Sequence, residues 1–171
     1  MSRIALTSRD MAMKKARRQY VPVASTLAAA SLSLLPIVAN SPISPDWGFM
    51  VLIAWRLLRP EMWASYMALP LGFYSDLVSG HPIGQSMALW TLTFLILDVV
   101  DSRAMYRDYW MDWLLSAVLI LFYVAGGWSV AALMGSNTDF AILWPQLGLS
   151  VLCYPLIARL VIGLDRWRLT R

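Results

Sequence analysis

The sequence predicts an all-α fold: a polytopic membrane helix bundle that crosses a bilayer about six times, with both ends in the cytoplasm. Three observations carry that prediction. Hydrophobic residues make up 59% of the chain and charged residues 14%, too little polar surface to cover a water-exposed domain. Apolar residues gather into runs at 21–39, 47–58, 62–78, 85–100, 113–133 and 140–162, parted by turn-rich or charged stretches. All 14 Lys and Arg lie in 1–19, 56–61, 98–112 and 159–171, which are the two ends and alternate connections. The other connections hold none, so six crossings satisfy the positive-inside rule throughout, whereas removing one middle crossing reverses every later loop. The pI near 9.5 thus reports topology rather than a nucleic-acid partner.

The chain opens with Arg3, Arg9, Lys14, Lys15, Arg17 and Arg18 against Asp10 alone, a basic cytoplasmic tail over 1–19. A cleaved signal peptide is the competing reading of a basic segment before an apolar run. The end of that run, Leu35-Pro36-Ile37-Val38-Ala39-Asn40, lacks small residues at both positions a cleavage site needs, and the run is long enough to span. The bundle then occupies 20–165, and 166–171 forms a short basic cytoplasmic C-terminus. Run 47–58 is short: about 12 residues rise about 18 Å against a hydrocarbon core of about 30 Å, so it lengthens through its flanks or inserts only partly. Pro70, inside run 62–78, is expected to kink a helix and free a carbonyl for Tyr74 or Ser75 to answer. Trp47, Trp63, Trp110, Trp113 and Trp144 stand near run ends, as interfacial aromatics do. Ala24 and Ala28, Ser25 and Ala29, and Gly127 and Ala131 are spaced for close helix approach, which matters in lipid because burying apolar surface between helices gains nothing there. No internal repeat points to the inverted halves of a secondary transporter.

One cysteine, Cys153, excludes an internal disulfide and a cysteine metal cluster, and one histidine, His81, excludes sites built on several imidazoles. A phosphate loop, a dinucleotide fingerprint, a nucleophile elbow and a His-Glu zinc helix are all missing. Because no His or Lys falls inside a run, Asp76 or Asp98 as an intramembrane catalyst has no partner base. The expectation is a protein without catalysis, cofactor or metal.

The densest signal is Leu71-Gly72-Phe73-Tyr74-Ser75-Asp76-Leu77-Val78-Ser79-Gly80-His81-Pro82-Ile83-Gly84-Gln85, at the outer end of the third run. An ionised carboxylate at that depth still wants partners, and Ser79, His81 and the backbone of 80–84 are the nearest. Glycine supplies positive φ and close approach, and Pro82 stiffens the passage to the next helix. Two readings follow: a tight outer hairpin whose Asp76 caps backbone donors, or a binding lip or proton-linked site. His81 reads as a solvated loop residue. Asp46, after Pro45, reads as the N-cap of the second helix and as a second acid on the outer rim. On the cytoplasmic side, 98–112 mixes four acids, two arginines and three aromatics. It reads as an interfacial connector with local ion pairs and Asp108 capping the fifth helix, or as a docking face carrying Arg103 and Arg107. Asp98 and Asp101 share a helix face, as acid/base pairs do, although interfacial carboxylates are ordinarily solvated.

Pro45-Asp46 opens the short second run; Gly72, Asp76, Gly80, Pro82 and Gly84 follow in the pattern G-x-x-x-D-x-x-x-G-x-P-x-G, then an apolar helix and an Arg-containing connector. Over roughly 30–145 this layout resembles the MreD family of bacterial rod shape-determining membrane proteins. Tyr74 and Ser75 depart from it, standing where aliphatic residues are expected, and the basic tail is longer than usual. The resemblance implies a non-enzymatic subunit of the cell-elongation machinery in the bacterial inner membrane. Its implied partner is the single-pass protein MreC, and through it MreB filaments, RodA and penicillin-binding protein 2. Asp46, Gly72, Asp76, Gly80, Pro82 and Gly84 then form a partner-binding or structural motif on the outer rim. The family is in turn similar to the membrane substrate-binding subunits of energy-coupling-factor transporters, a six-helix all-α fold. That likeness supplies the alternative, a small-molecule (vitamin)-binding subunit of a transporter.

Overall fold

The computed structural model describes residues 20–36, 43–103, 108–137 and 139–169, and among these the chain is helical, with no strand. Six helices follow one another: α1 (Tyr20–Leu34, closing in the 3-10 turn Ser31–Leu34), α2 (Trp47–Leu58), α3 (Ala68–Ser79), α4 (Gln85–Arg103), α5 (Tyr109–Leu133) and α6 (Trp144–Leu169). The tail 1–19 and Arg107 lie outside the described residues.

The bundle is built around α2. Its sequence, WGFMVLIAWRLL, is apolar nearly all round, the pattern of a helix enclosed by others rather than one with a wet face. Gly48–Met50 and Leu52–Leu57 are buried, and around them pack Trp90, Phe94 and Leu97 of α4, Leu119 and Ile120 of α5, and Tyr154, Ile157 and Val161 of α6. Gly48 lets α1 come close, since a Cβ there would sit 2.8 Å from that of Ala30. Enclosure explains how 12 residues make a stable central helix: other helices, not lipid, surround it. The outer helices show the opposite pattern, with Leu92, Leu95, Val118, Leu121, Leu152 and Leu156 exposed. Tyr109–Leu133 and Phe140–Leu169 are long and apolar enough to cross a membrane.

Several expectations need correction. Run 62–78 is not one helix: after Leu58 the backbone passes through 3-10 turns at Pro60–Met62 and Ser65–Met67 before α3 begins at Ala68. Pro70 therefore sits in the first turn of α3, where its missing N–H had no intrahelical acceptor, and no kink is required. Tyr74 bonds to Ser31 of α1 at 2.7 Å instead of answering a freed carbonyl, and Ser75 Oγ is buried without a hydrogen-bond partner. Trp63 is no interfacial anchor; it is buried and stacks on Phe94, ring centroids 6.0 Å apart. Of the spaced small residues, Ala24 and Ala28 face outward, while Ala29, Gly127 and Ala131 line a cavity. Spacing marks where helices can approach but not which face is turned inward. Here the close approaches to another helix's backbone use Gly48 and Gly72.

On the six-crossing expectation, the end bearing Asp76 is the outer one. Every described arginine, Arg56, Arg59, Arg103, Arg159, Arg166 and Arg168, belongs to the opposite half of its helix or to the connection beyond it. Six crossings then make a direct prediction. In a Cys153→Ser background, cysteines at the exposed positions Ile83 and Ser136 should react with an impermeant thiol reagent added to spheroplasts. A cysteine at exposed Ser102 should stay protected until the membrane is opened. Labelling of position 102 from outside would end the six-crossing arrangement.

Candidate functional site

The residues of the glycine-aspartate-proline motif meet where α3 passes into α4. Gly72 places α3 against the start of α4 so tightly that a Cβ there would lie 2.7 Å from the backbone of Ser86 and Met87. That approach carries Asp76, one turn on, to the first N–H groups of α4, which have no acceptor inside their own helix. Asp76 Oδ2 accepts from Gly84 N at 2.9 Å and Oδ1 from Ser86 N at 2.8 Å, with Met87 N farther off at 3.5 Å. A carboxylate at a helix N-terminus also meets the positive end of the helix dipole, so a side chain only 1% exposed is both hydrogen-bonded and electrostatically favoured. Gly80 ends α3 at φ +70° and Gly84 turns the chain into α4 at φ +101°, conformations that side chains resist. The capping role expected for Asp76 is what the hairpin displays, with the next helix as the recipient.

Asp46 belongs to the same network. Its Oδ1 caps α2 by accepting from Phe49 N at 2.9 Å, and its Oδ2 accepts from the Tyr123 hydroxyl at 2.5 Å. Tyr123 Oη also lies 3.3 Å from Ser86 Oγ, and its ring stacks on Phe49 at 4.3 Å. Asp46 and Asp76, placed on one rim by the sequence, are thus joined through Tyr123 and Ser86 across α2, α5, α4 and α3. Beside this network a cavity of about 670 Å³ opens between the helix ends on the same side. His81 lines it and is not simply solvated: its Nδ1 is buried and has no hydrogen-bond partner. Gln146, also in the wall, donates from Nε2 to the Ser44 carbonyl at 3.0 Å.

The opposite end, where the described arginines gather, holds a second cluster, whose partners the sequence did not disclose. Arg56 is 3% exposed and binds Asp98 through Nη2 and Asp101 through Nη1, the latter at 2.9 Å. Ser65 donates to the other oxygen of Asp98. Arg59 and Arg168 both bind Asp165, at 2.9 and 2.7 Å, and the Arg168 guanidinium lies over the Trp55 ring. Asp98 and Asp101 are therefore neither a free acid/base pair nor merely solvated. Their ion-pair partner lies 42 and 45 residues away, not within the connector. Asp108 stands at the N-cap position of α5 but its side chain makes no capping bond. Arg103 is exposed at the end of α4.

Tyr123, Ser86, Arg56 and Asp165 escaped the sequence reading. Tyr123 and Ser86 sit in apolar surroundings that give no sign of a polar partner. Arg56, though, carried a usable signal: an arginine within an otherwise apolar 12-residue helix requires a buried carboxylate.

A protein-family model described as rod shape-determining protein MreD matches residues 17–164. No curated protein and no solved structure matches the chain.

Proposed function

The chain belongs to the MreD family of rod shape-determining proteins, and from that premise we propose that it is a non-catalytic membrane subunit of the bacterial cell-elongation complex. In this role it is a scaffold in the inner membrane with both termini cytoplasmic. It holds an MreC-like single-pass protein and, through it, is coupled to MreB filaments, RodA and penicillin-binding protein 2. The family match over 17–164, most of the chain, carries the reading. It is supported by the state of Asp76, the residue best placed for chemistry, both of whose oxygens are engaged by backbone N–H groups of α4. Such a motif builds a rigid outer hairpin rather than a reactive centre. A scaffold acts by contact, so the outer rim from Asp46 to Gly84 is one docking surface, and the connector with exposed Arg103 and with Arg107 is a second.

Depletion in the rod-shaped host tests the proposal. Cells should round and swell, and complementation with charge reversals at Arg103 and Arg107 should fail to restore rod shape if the connector docks a partner. Unchanged shape together with a new requirement for one vitamin would overturn the scaffold in favour of a transporter subunit. Restored shape with both arginines reversed would confine the essential contacts to the bundle and outer rim.

A further inference from the structure

The cavity opens within the rim from Asp46 to Gly84, and its walls have a definite chemistry of their own. Its volume of about 670 Å³ is that of a small-molecule site. Among the described residues, one carboxylate, Asp46, and one imidazole, His81, line it, with neither Lys nor Arg. Phe49 N and the Tyr123 hydroxyl donate to Asp46, but both are neutral, so its negative charge has no counter-ion in the wall. Three aromatic residues, Trp47, Tyr123 and Trp128, also line it. His81 stands in the same wall, although its Nδ1 is itself buried away from the opening.

We propose that this cavity binds an organic ammonium group carried on a small ring or alkyl body. The cation supplies the charge that Asp46 lacks, its N–H groups donate to the Asp46 carboxylate, and the indole and phenol faces attract it and cover its apolar part. An anion of the same shape would face Asp46 with no basic residue to offset the repulsion. Two sources offer this chemistry: a free amine solute, or the headgroup of an aminophospholipid in the outer leaflet.

The test uses the full chain in dodecyl maltoside, whose headgroup is uncharged, with calorimetric titration of phenethylamine, phenethyl alcohol and phenylacetate. These share a ring and differ in charge. Phenethylamine should bind at least about tenfold more tightly than the alcohol, as a desolvated cation over aromatic rings requires, and phenylacetate should not bind. Asp46→Asn keeps an oxygen to cap α2 and should erase the preference for amine over alcohol. Added phosphatidylethanolamine should weaken phenethylamine binding if the lipid headgroup is the occupant, and leave it unchanged if a free amine is. Equal affinity for all three probes, tighter binding of phenylacetate, or no binding of phenethylamine would overturn the proposal. That comparison is made on the unaltered chain, so it decides the matter even where Asp46→Asn lowers the melting temperature.

Discussion

Asp76→Leu should abolish most of the folded protein, whereas Asp76→Asn should retain a substantial part of it. Leucine leaves Ser86 N, now bonded at 2.8 Å, buried without an acceptor, and the half-buried Gly84 N, now bonded at 2.9 Å, loses its acceptor too. Each such donor costs about 1–3 kcal/mol, so the pair costs on the order of 2–6 kcal/mol, comparable with the whole stability of a small domain. Asparagine keeps one oxygen for one donor and turns an amide N–H₂ toward the other, and its loss should be about half as large. Thermal unfolding in detergent and the monodisperse fraction on size exclusion measure both variants. Equal loss for both would mean that the negative charge itself is required, as in a proton relay or an ion site. Equal tolerance would reduce Asp76 to a surface acid.

That contrast between variants also shows what the sequence could and could not disclose. The hairpin was readable because its parts are local: Gly72, Asp76, Gly80, Pro82 and Gly84 fall within 13 residues, and each answers a backbone requirement visible in short-range spacing. The α2 boundaries, Trp47–Leu58, were legible for the same reason, with Pro45-Asp46 before and Arg59-Pro60 after. What stayed hidden depends on which helix faces which. Tyr123 reaches Asp46 across 77 residues, and no periodicity in α5 distinguishes it from its apolar neighbours. Run 62–78 failed as a single helix because composition does not register backbone geometry; Trp63-Ala64 is extended, although both residues are apolar. The unexpected Tyr74 acquires its meaning only beside α1, where Ser31 meets it.

The second large effect belongs to the cluster around Arg56. Asp98→Ala combined with Asp101→Ala should destabilise the protein by about 3–5 kcal/mol, because it strips both counter-charges from a guanidinium that is 3% exposed. Asp98→Ala alone should cost less: its carboxylate is 42% exposed, water already screens its attraction to Arg56, and Asp101 would remain. Adding Arg56→Met to the double variant should restore much of the lost stability, since an apolar side chain can fill the space between Asp98, Asp101 and Phe94 without needing a charge. The triple variant is therefore expected to melt above the double one, a reversal that a sum of independent contacts does not produce. A double variant as stable as the native chain would mean that water, not the carboxylates, satisfies Arg56. A triple variant weaker than the double would mean that Arg56 holds α2 through its contact with the Phe94 ring, 5.8 Å from the guanidinium carbon, more than through its ion pairs.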